Sequence, residues 1–202
     1  LSDESSHTTH FSVIDKDRVA VSMTYTLESS YGSRIVVKGG GFLLNDEMND
    51  FNWRPGVTDR KGGIGTEPNV VVPGKRMLSS QTPTILARDS KAVLITGSPG
   101  GRTIINTVLC VIVNVVDFDM DARQAVDAPR MHQQWFPDRV SVEPQLAKDH
   151  ADALERLKKM GHTIRIDKAE PQGDAHTIGV DSRTGKIIGA ADRRRSGAAT
   201  GY

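Results

Sequence analysis

Thr8-Thr9-His10-Phe11-Ser12-Val13-Ile14-Asp15-Lys16-Asp17-Arg18-Val19-Ala20-Val21-Ser22-Met23-Thr24-Tyr25-Thr26 decides the fold. Phe11 and Val13 alternate with polar neighbours, as do Val19, Val21, Met23 and Tyr25. Period-two alternation on either side of Asp15-Lys16-Asp17-Arg18 predicts a β-hairpin over residues 10–26. A two-residue loop at Lys16-Asp17 would pair Asp15 with Arg18 and set Thr8 opposite Tyr25. Thr26 would then lie one residue out of register, close to Thr8. The hairpin therefore brings two threonine hydroxyls together at its open end.

Outward from the hairpin, residues 34–44 suggest a further strand and a bend at Gly39-Gly40-Gly41. Residues 52–76 carry Pro55-Gly56, Gly62-Gly63, Gly65, Pro68 and Pro73-Gly74 with no period, which predicts a long loop, either a solvent-facing insert or a substrate lid. Pro83–Ala87 and Ala92–Thr96 read as buried strands around an Asp89-Ser90 turn. Thr103–Val116 is apolar nearly all round and predicts a buried helix, with a strand as the alternative its β-branched content leaves open. Asp121 is placed to cap a short helix that ends before Pro129. From Ala147 to Met160 the spacing predicts an amphipathic helix with Ala147, Ala151, Leu154 and Leu157 on one face and Gly161 at its end. Thr177–Val180 and Lys186–Ala190 predict a second hairpin. Strands at both ends with helices between fit an α+β domain.

Composition narrows the function. With 26 basic against 25 acidic residues among 202, no attraction to nucleic acid or an anionic membrane is implied. The run Val108–Val116 falls well short of the ~20 apolar residues of a membrane span. Cys110, the single cysteine, sits in that run and reads as a buried small side chain. No metal-ligand spacing surrounds the six histidines, and there is no Gly-x-Ser-x-Gly elbow and no Walker lysine motif. The opening Leu1-Ser2-Asp3-Glu4-Ser5-Ser6-His7 has no initiator Met, basic region or apolar core, and reads as a piece of a longer polypeptide.

Taken singly, Thr8-Thr9 is an ordinary strand start, Asn49-Asp50 a turn, Ser79-Ser80 a strand end and Ser98-Pro99-Gly100-Gly101 a loop. Read together they form an ordered set: Thr8-Thr9-His10-Phe11-Ser12-Val13, Asn45-Asp46-Glu47-Met48-Asn49-Asp50-Phe51, Pro73 to Thr84 with Ser79-Ser80, Thr96-Gly97-Ser98-Pro99-Gly100-Gly101, Ala128-Pro129-Arg130-Met131-His132 and Gly201-Tyr202. That set resembles the small subunit of bacterial gamma-glutamyltranspeptidases, from Thr8 to Tyr202.

The resemblance implies a four-layer αββα sandwich of the N-terminal nucleophile hydrolases, completed by a large subunit from the same precursor. It implies self-cleavage at His7–Thr8, which divides residues 1–7 from a small catalytic subunit over residues 8–202. Thr8 would be the nucleophile and its freed α-amine the base, which is reasonable because an α-amine titrates near ~8. Thr26 matches the second threonine that contacts the nucleophile. Glu47 and Asp50 match the residues that bind the α-ammonium of the substrate, Ser79 and Ser80 the pair that binds its α-carboxylate, and Gly100 and Gly101 the oxyanion N–H pair. The large subunit would supply an arginine to the same carboxylate.

The implied activity is transfer or hydrolysis of the γ-glutamyl group of glutathione and related amides, with an amino acid, peptide or water as acceptor. No metal and no organic cofactor are implied, and the implied location is periplasmic or secreted. The sequence departs from the family in two places. Glu28 stands where many relatives carry asparagine and could still accept from the substrate ammonium, and Lys61 stands where a lid tyrosine often lies, with Trp53 either its substitute or a surface anchor. Rival readings are a same-fold acylase or poly-γ-glutamate hydrolase, and an uncut homologue that serves in binding. Asp50 with Ser79-Ser80 argues against the first, and intact Thr8, Thr26, Gly100 and Gly101 against the second.

Overall fold

The computed structural model describes residues 7–52, 55–57, 65–167, 171–181 and 183–201. Its first element is the expected hairpin, β1 (Thr9–Ile14) and β2 (Ala20–Tyr25). The register differs from the expected one. Thr9, not Thr8, faces Tyr25, and Ile14 faces Ala20. The reason is the turn. Arg18 takes φ of 68°, so the loop holds three residues, Lys16-Asp17-Arg18. The Asp15 carboxylate secures it by accepting from the N–H groups of Asp17 and Val19, each at 2.9 Å. A type I turn followed by a left-handed residue is a common three-residue hairpin loop. The shift by one position places Thr8 beside Thr26.

A second sheet runs β3 (Thr84–Arg88), β4 (Lys91–Thr96), β8 (His176–Val180) and β9 (Ile187–Ala191), in the order β3-β4-β8-β9. Asp89 and Ser90 both have positive φ, 50° and 60°, which is the two-residue turn a tight hairpin prefers. The expectation of two buried strands holds only for the end of β4. Leu94, Ile95 and Thr96 are fully buried, whereas β3 lies at the sheet edge with Ile85 exposed.

Helices α1 (Ile104–Val116) and α2 (Ala122–Asp127) cover one face of this sheet. Leu94, Val111, Ala122, Ala125, Val126, Ala175 and Ala190 form the shared core. Asp121 caps α2 with a reciprocal box, in which its side chain accepts from the Gln124 N–H and the Gln124 side chain accepts from the Asp121 N–H. The α1 helix is not buried all round. Ile104, Thr107, Val108 and Val111 face the core, and Ile105, Leu109 and Val116 are more than half exposed.

The opposite face of the sheet carries the hairpin, packed across β4 and β8. Its inward face is polar. Ser22 Oγ donates to the Thr96 carbonyl at 2.9 Å, and Ser12 Oγ to the His176 carbonyl at 2.8 Å. Its outward face holds Phe11, Val13, Val21, Met23 and Tyr25, each between 40% and 53% exposed. Hairpin, sheet and helices are three layers of an α+β sandwich, β–β–α. The apolar outer face of the hairpin marks where a fourth layer belongs.

A separate three-stranded sheet was not foreseen. Strands β5 (Met131–His132), β6 (Val140–Val142) and β7 (Ile164–Ile166) form it, with β6 and β7 parallel. The segment expected as one helix is two, α3 (Pro144–Asp149) and α4 (Ala151–Lys159), broken at His150. The break turns Ala151 out to solvent, while Ala147, Leu154 and Leu157 pack on Val140 and Val142 as expected. Gly161, with φ of 99°, follows the last turn. The strand expected over residues 34–44 reduces to a single bridge, Val36 to Leu43, around a glycine turn. No helix among the described residues is long and apolar enough to cross a membrane.

Candidate active site

The site begins at the open end of the hairpin. Thr8 Oγ1 donates to Thr26 Oγ1 at 3.1 Å, and both residues are half-buried. Thr26 Oγ1 also accepts from the Glu28 N–H at 2.9 Å, an interaction that holds Glu28 at φ of 70°. One hydroxyl oxygen thus orients the Thr8 hydroxyl and sets the direction in which the chain leaves the strand. Residues 1–6, Trp53, Lys61 and Tyr202 lie outside the described residues, so the segment expected to precede a cleavage site and the two positions expected in a lid are not placed.

Asp46 draws the next segment in. Its carboxylate accepts from the Ser29 N–H at 2.9 Å and the Ser29 hydroxyl at 2.7 Å, and its N–H donates to the Leu27 carbonyl. These bonds lay the short 3-10 turn Glu47–Asp50 against residues 27–29. As a result one carboxylate oxygen from each of Glu28, Glu47 and Asp50 lies within 4.8 Å of the others. Burial, then the negative charges of Asp50, Glu28 and Asp46, raise the Glu47 carboxyl to about 7. Burial also raises the Asp50 carboxyl. Three half-buried carboxylates in mutual repulsion attract a cation, and the cluster suits an ammonium group or a metal ion equally well by charge.

Asn69, which the sequence did not single out, joins this cluster to Ser79-Ser80. It is buried, 7% exposed, inside the stretch expected to be a long loop. Its Nδ2 donates to the Asp50 carbonyl at 2.7 Å, and its Oδ1 accepts from the Leu78 N–H at 3.0 Å. The backbone of Asn52 adds a bond to the Asn69 carbonyl at 2.8 Å. The segment around Asn69 is therefore a fixed strut, and the excursion from it closes where the Gly56 N–H meets the Gly65 carbonyl at 2.6 Å. Ser79 is exposed and Ser80 half-buried, one and two residues beyond the Leu78 anchor.

The third part follows β4. Gly100 has φ of 133° and Gly101 φ of 54°, both in the region that favours glycine. A Cβ on Gly100 would come within 2.5 Å of Thr103 Oγ1. The Gly100 carbonyl is occupied by the Thr103 N–H and hydroxyl, at 3.0 and 2.8 Å. The N–H groups of Gly100 and Gly101 have no acceptor among the described residues. Two adjacent N–H donors on a glycine loop are suited to an oxyanion.

Behind that loop lies a buried ionic network that no sequence signal marked as such. Arg130 and Asp192 are both 1% exposed and pair at 2.8 Å. Arg194 forks onto Glu143 with two bonds of 2.7 Å and reaches Asp192 at 3.2 Å. Burial pushes the Asp192 carboxyl up, but Arg130 and Arg194 outweigh it and hold it below the ordinary carboxylate range. Arg130 also donates to the Gln172 carbonyl at 2.7 Å, beside Gly173 and Asp174. The Asp174 N–H donates to Ser98 Oγ at 2.8 Å, so the network braces the glycine loop from below. Arg130 lies in the Ala128–His132 stretch, whose only signal in sequence was its place in the ordered set. Cys110 is half-buried with a thiol raised by burial, a poor nucleophile.

Comparisons with known proteins agree with this arrangement. The family model described as Gamma-glutamyltranspeptidase matches residues 2–202. The glutathione hydrolase proenzyme of Escherichia coli K12 is 43% identical over 191 residues, which are 95% of this chain and 32% of that protein. A solved gamma-glutamyltranspeptidase from Pseudomonas nitroreducens, complexed with L-DON, is 42% identical with a TM-score of 0.80 and covers 96% of this chain and 99% of its own. A mutant of the Helicobacter pylori enzyme gives 42% identity and a TM-score of 0.80 over 93% of this chain and 100% of its own. The chain spans about a third of the length of the curated proenzymes it matches. By the match of the family model along its length and the identity to these relatives, the chain belongs to the gamma-glutamyltranspeptidase family.

Proposed function

We propose that this chain is the catalytic small subunit of an enzyme that transfers or hydrolyses the γ-glutamyl group of glutathione and other γ-glutamyl amides. The observation that carries the reading is the Thr8–Thr26 hydroxyl pair, 3.1 Å apart, two residues from a carboxylate that belongs to a three-carboxylate cluster. A γ-glutamyl head is a zwitterion beyond an amide carbonyl. Glu28, Glu47 and Asp50 accept its ammonium, Ser79 and Ser80 donate to its carboxylate, and the amide is left at Thr8.

The His7–Thr8 bond is cut first, which frees the Thr8 α-amine. The amine takes the proton from Thr8 Oγ1 as that oxygen attacks the γ-carbonyl. The carbonyl oxygen becomes an oxyanion held by the Gly100 and Gly101 N–H groups. The C–N bond breaks, the leaving amine takes the proton, and a γ-glutamyl ester remains on Thr8. Water or the amine of an amino acid or peptide attacks that ester, the product leaves, and the Thr8 hydroxyl is restored.

The upstream part of the precursor is the partner, as the large subunit. Phe11, Val13, Val21, Met23 and Tyr25 on the outer face of the hairpin give it an apolar surface to cover, which supplies the fourth layer of an αββα sandwich. It also supplies an arginine to the α-carboxylate of the substrate. The stretch 52–76 holds a lid over the head group, and the enzyme works in the periplasm or outside the cell.

The test is mass spectrometry of purified full-length precursor. The reading expects a fragment that begins at Thr8, and a +129 Da γ-glutamyl adduct on that fragment after acid quench with substrate, on the order expected for one acyl group. A Thr8→Ala precursor should stay whole. Cleavage of that variant in a protease-free preparation removes Thr8 from the role.

A further inference from the structure

Thr8 immediately precedes β1, and alternation along the chain puts it on the same inward side as His10, which lies in the strand. His10 is 3% exposed, and its two ring nitrogens are both engaged. Nδ1 lies 2.9 Å from Thr24 Oγ1, and Nε2 lies 3.2 Å from Ser12 Oγ. The Ser12 hydroxyl has one proton, and it is given to the His176 carbonyl at 2.8 Å. Ser12 therefore accepts from His10, so Nε2 carries the ring proton and Nδ1 accepts from Thr24. The ring is neutral. Burial, reinforced by the nearby His176, lowers its titration to about 4.

The edge of this ring rests on Gly97, the first residue after β4 and the start of the loop that ends in Gly100-Gly101. A Cβ on Gly97 would collide with His10 Cε1, Nδ1 and Nε2, the most distant of the three at 2.7 Å. The Gly97 carbonyl is held from the other side by the His176 N–H at 3.1 Å. Here glycine is required by close approach rather than by φ.

We propose that His10 is a positioning residue, a neutral spacer whose contact with Gly97 sets the separation between the Thr8 hydroxyl and the oxyanion N–H groups. The proposal rests on the functional reading above, in which those groups act on one carbonyl. An imidazole fixed by two hydrogen bonds is a rigid gauge block, and the bare Cα of Gly97 is the surface it gauges against. Neither residue touches substrate. A misplacement of about 1 Å between reacting groups costs up to ~100-fold in rate.

The experiment uses the cleaved two-chain enzyme and four forms: wild type, Gly97→Ala, His10→Ala, and the double variant. With a γ-glutamyl anilide, Gly97→Ala should lower kcat about 10- to 100-fold and leave KM within about 2-fold, since the head-binding residues lie elsewhere. In the His10→Ala background the same Gly97→Ala substitution should cost less than about 3-fold, because the ring it strikes is gone. An equal cost in both backgrounds overturns the proposal, as does a loss confined to KM, or a lower Tm with kcat of the folded enzyme intact. If Gly97→Ala fails to mature, the double variant decides: recovery of cleavage supports the contact, and continued failure overturns it. The wild-type control separates this proposal from the assigned activity. A wild type that is cut at Thr8 yet idle on γ-glutamyl amides refutes that activity, while the rates of cleavage still read the coupling between positions 10 and 97.

Discussion

Removing the Asn69 side chain should loosen substrate-head binding without touching self-cleavage. Asn69→Ala deletes the 2.7 Å bond to the Asp50 carbonyl and the 3.0 Å bond from the Leu78 N–H. Each neutral bond contributes about 1 kcal/mol net, and a partner left unsatisfied in a buried place costs about 1–3 kcal/mol. Water reaches part of the vacated space because Leu78 is exposed, so a total of about 2–3 kcal/mol is expected. The loss falls on the geometry between Asp50 and Ser79-Ser80, since those segments are what the side chain ties. At 1.4 kcal/mol per factor of ten, affinity for L-glutamate should weaken about 30- to 150-fold. Calorimetric titration of the cleaved enzyme measures it directly. Cleavage at His7–Thr8 should proceed at close to the wild-type rate, because the Thr8–Thr26 pair makes no bond to Asn69. Unchanged affinity would refute the strut, and a parallel loss of cleavage would show that the damage is to the fold.

Other perturbations test separate parts. Asp50→Ala should reduce turnover of a γ-glutamyl anilide far more than self-cleavage, since losing one partner of a desolvated charge pair costs roughly 2–5 kcal/mol; equal losses would indicate misfolding. Glu47, raised to about 7, should release its proton as pH rises through 7, so affinity for L-glutamate should strengthen over that window and weaken below it. The sign for stability is opposite: folding favours the protonated carboxyl, so its contribution declines as pH rises from about 4.5 through about 7. Titration calorimetry at several pH values checks the first, and Glu47→Gln should flatten the profile. Arg130→Met should destabilise by about 3–5 kcal/mol by leaving Asp192 with a single cation, read as a lower denaturation midpoint in urea. Replacing residues 52–76 with a short linker should leave cleavage intact and shift the ratio of hydrolysis to transfer, measured side by side on glutathione and poly-γ-glutamate; failure to fold would make the segment structural.

The elements were legible where period and punctuation agree. The β1–β2 hairpin, the β8–β9 hairpin, the capped α2 and the helix α1 follow from alternation, turns, an apolar run and an N-cap. What stayed hidden has physical causes. The register turned on Arg18 adopting a left-handed conformation, which an arginine gives no sign of. The exposed stripe of α1 looked like core because apolar residues on all sides do not say which side is covered within this chain. The His150 break and the parallel β6–β7 pair are set by tertiary packing rather than by local preference. Among the candidate site residues, Thr8, Glu47, Asp50 and the glycine pair were singled out through the ordered motifs, and Thr26 through the hairpin and the family resemblance. Asn69 and the strut role of Asp46 were not, because a buried asparagine in a glycine-rich loop and an aspartate in a turn are ordinary in sequence and become struts only through partners 9 to 19 positions away.

The Lys16-Asp17-Arg18 loop carries an obligation out of proportion to its place at the far tip of the hairpin. Side chains alternate along a strand, so losing or gaining one residue there would rotate the choice of inward face for a whole strand. Were β1 to slip by one position, Phe11 and Val13 would turn toward the sheet where Ser12 now meets the His176 carbonyl, and Thr8 would turn away from Thr26. The identities of the exposed Lys16 and Asp17 are nearly free and Arg18 must tolerate a left-handed φ, but the number of residues is fixed. Natural and engineered variation at this tip should therefore take the form of substitution and never of insertion or deletion, a length constraint imposed by Thr8 at the other end of the strand.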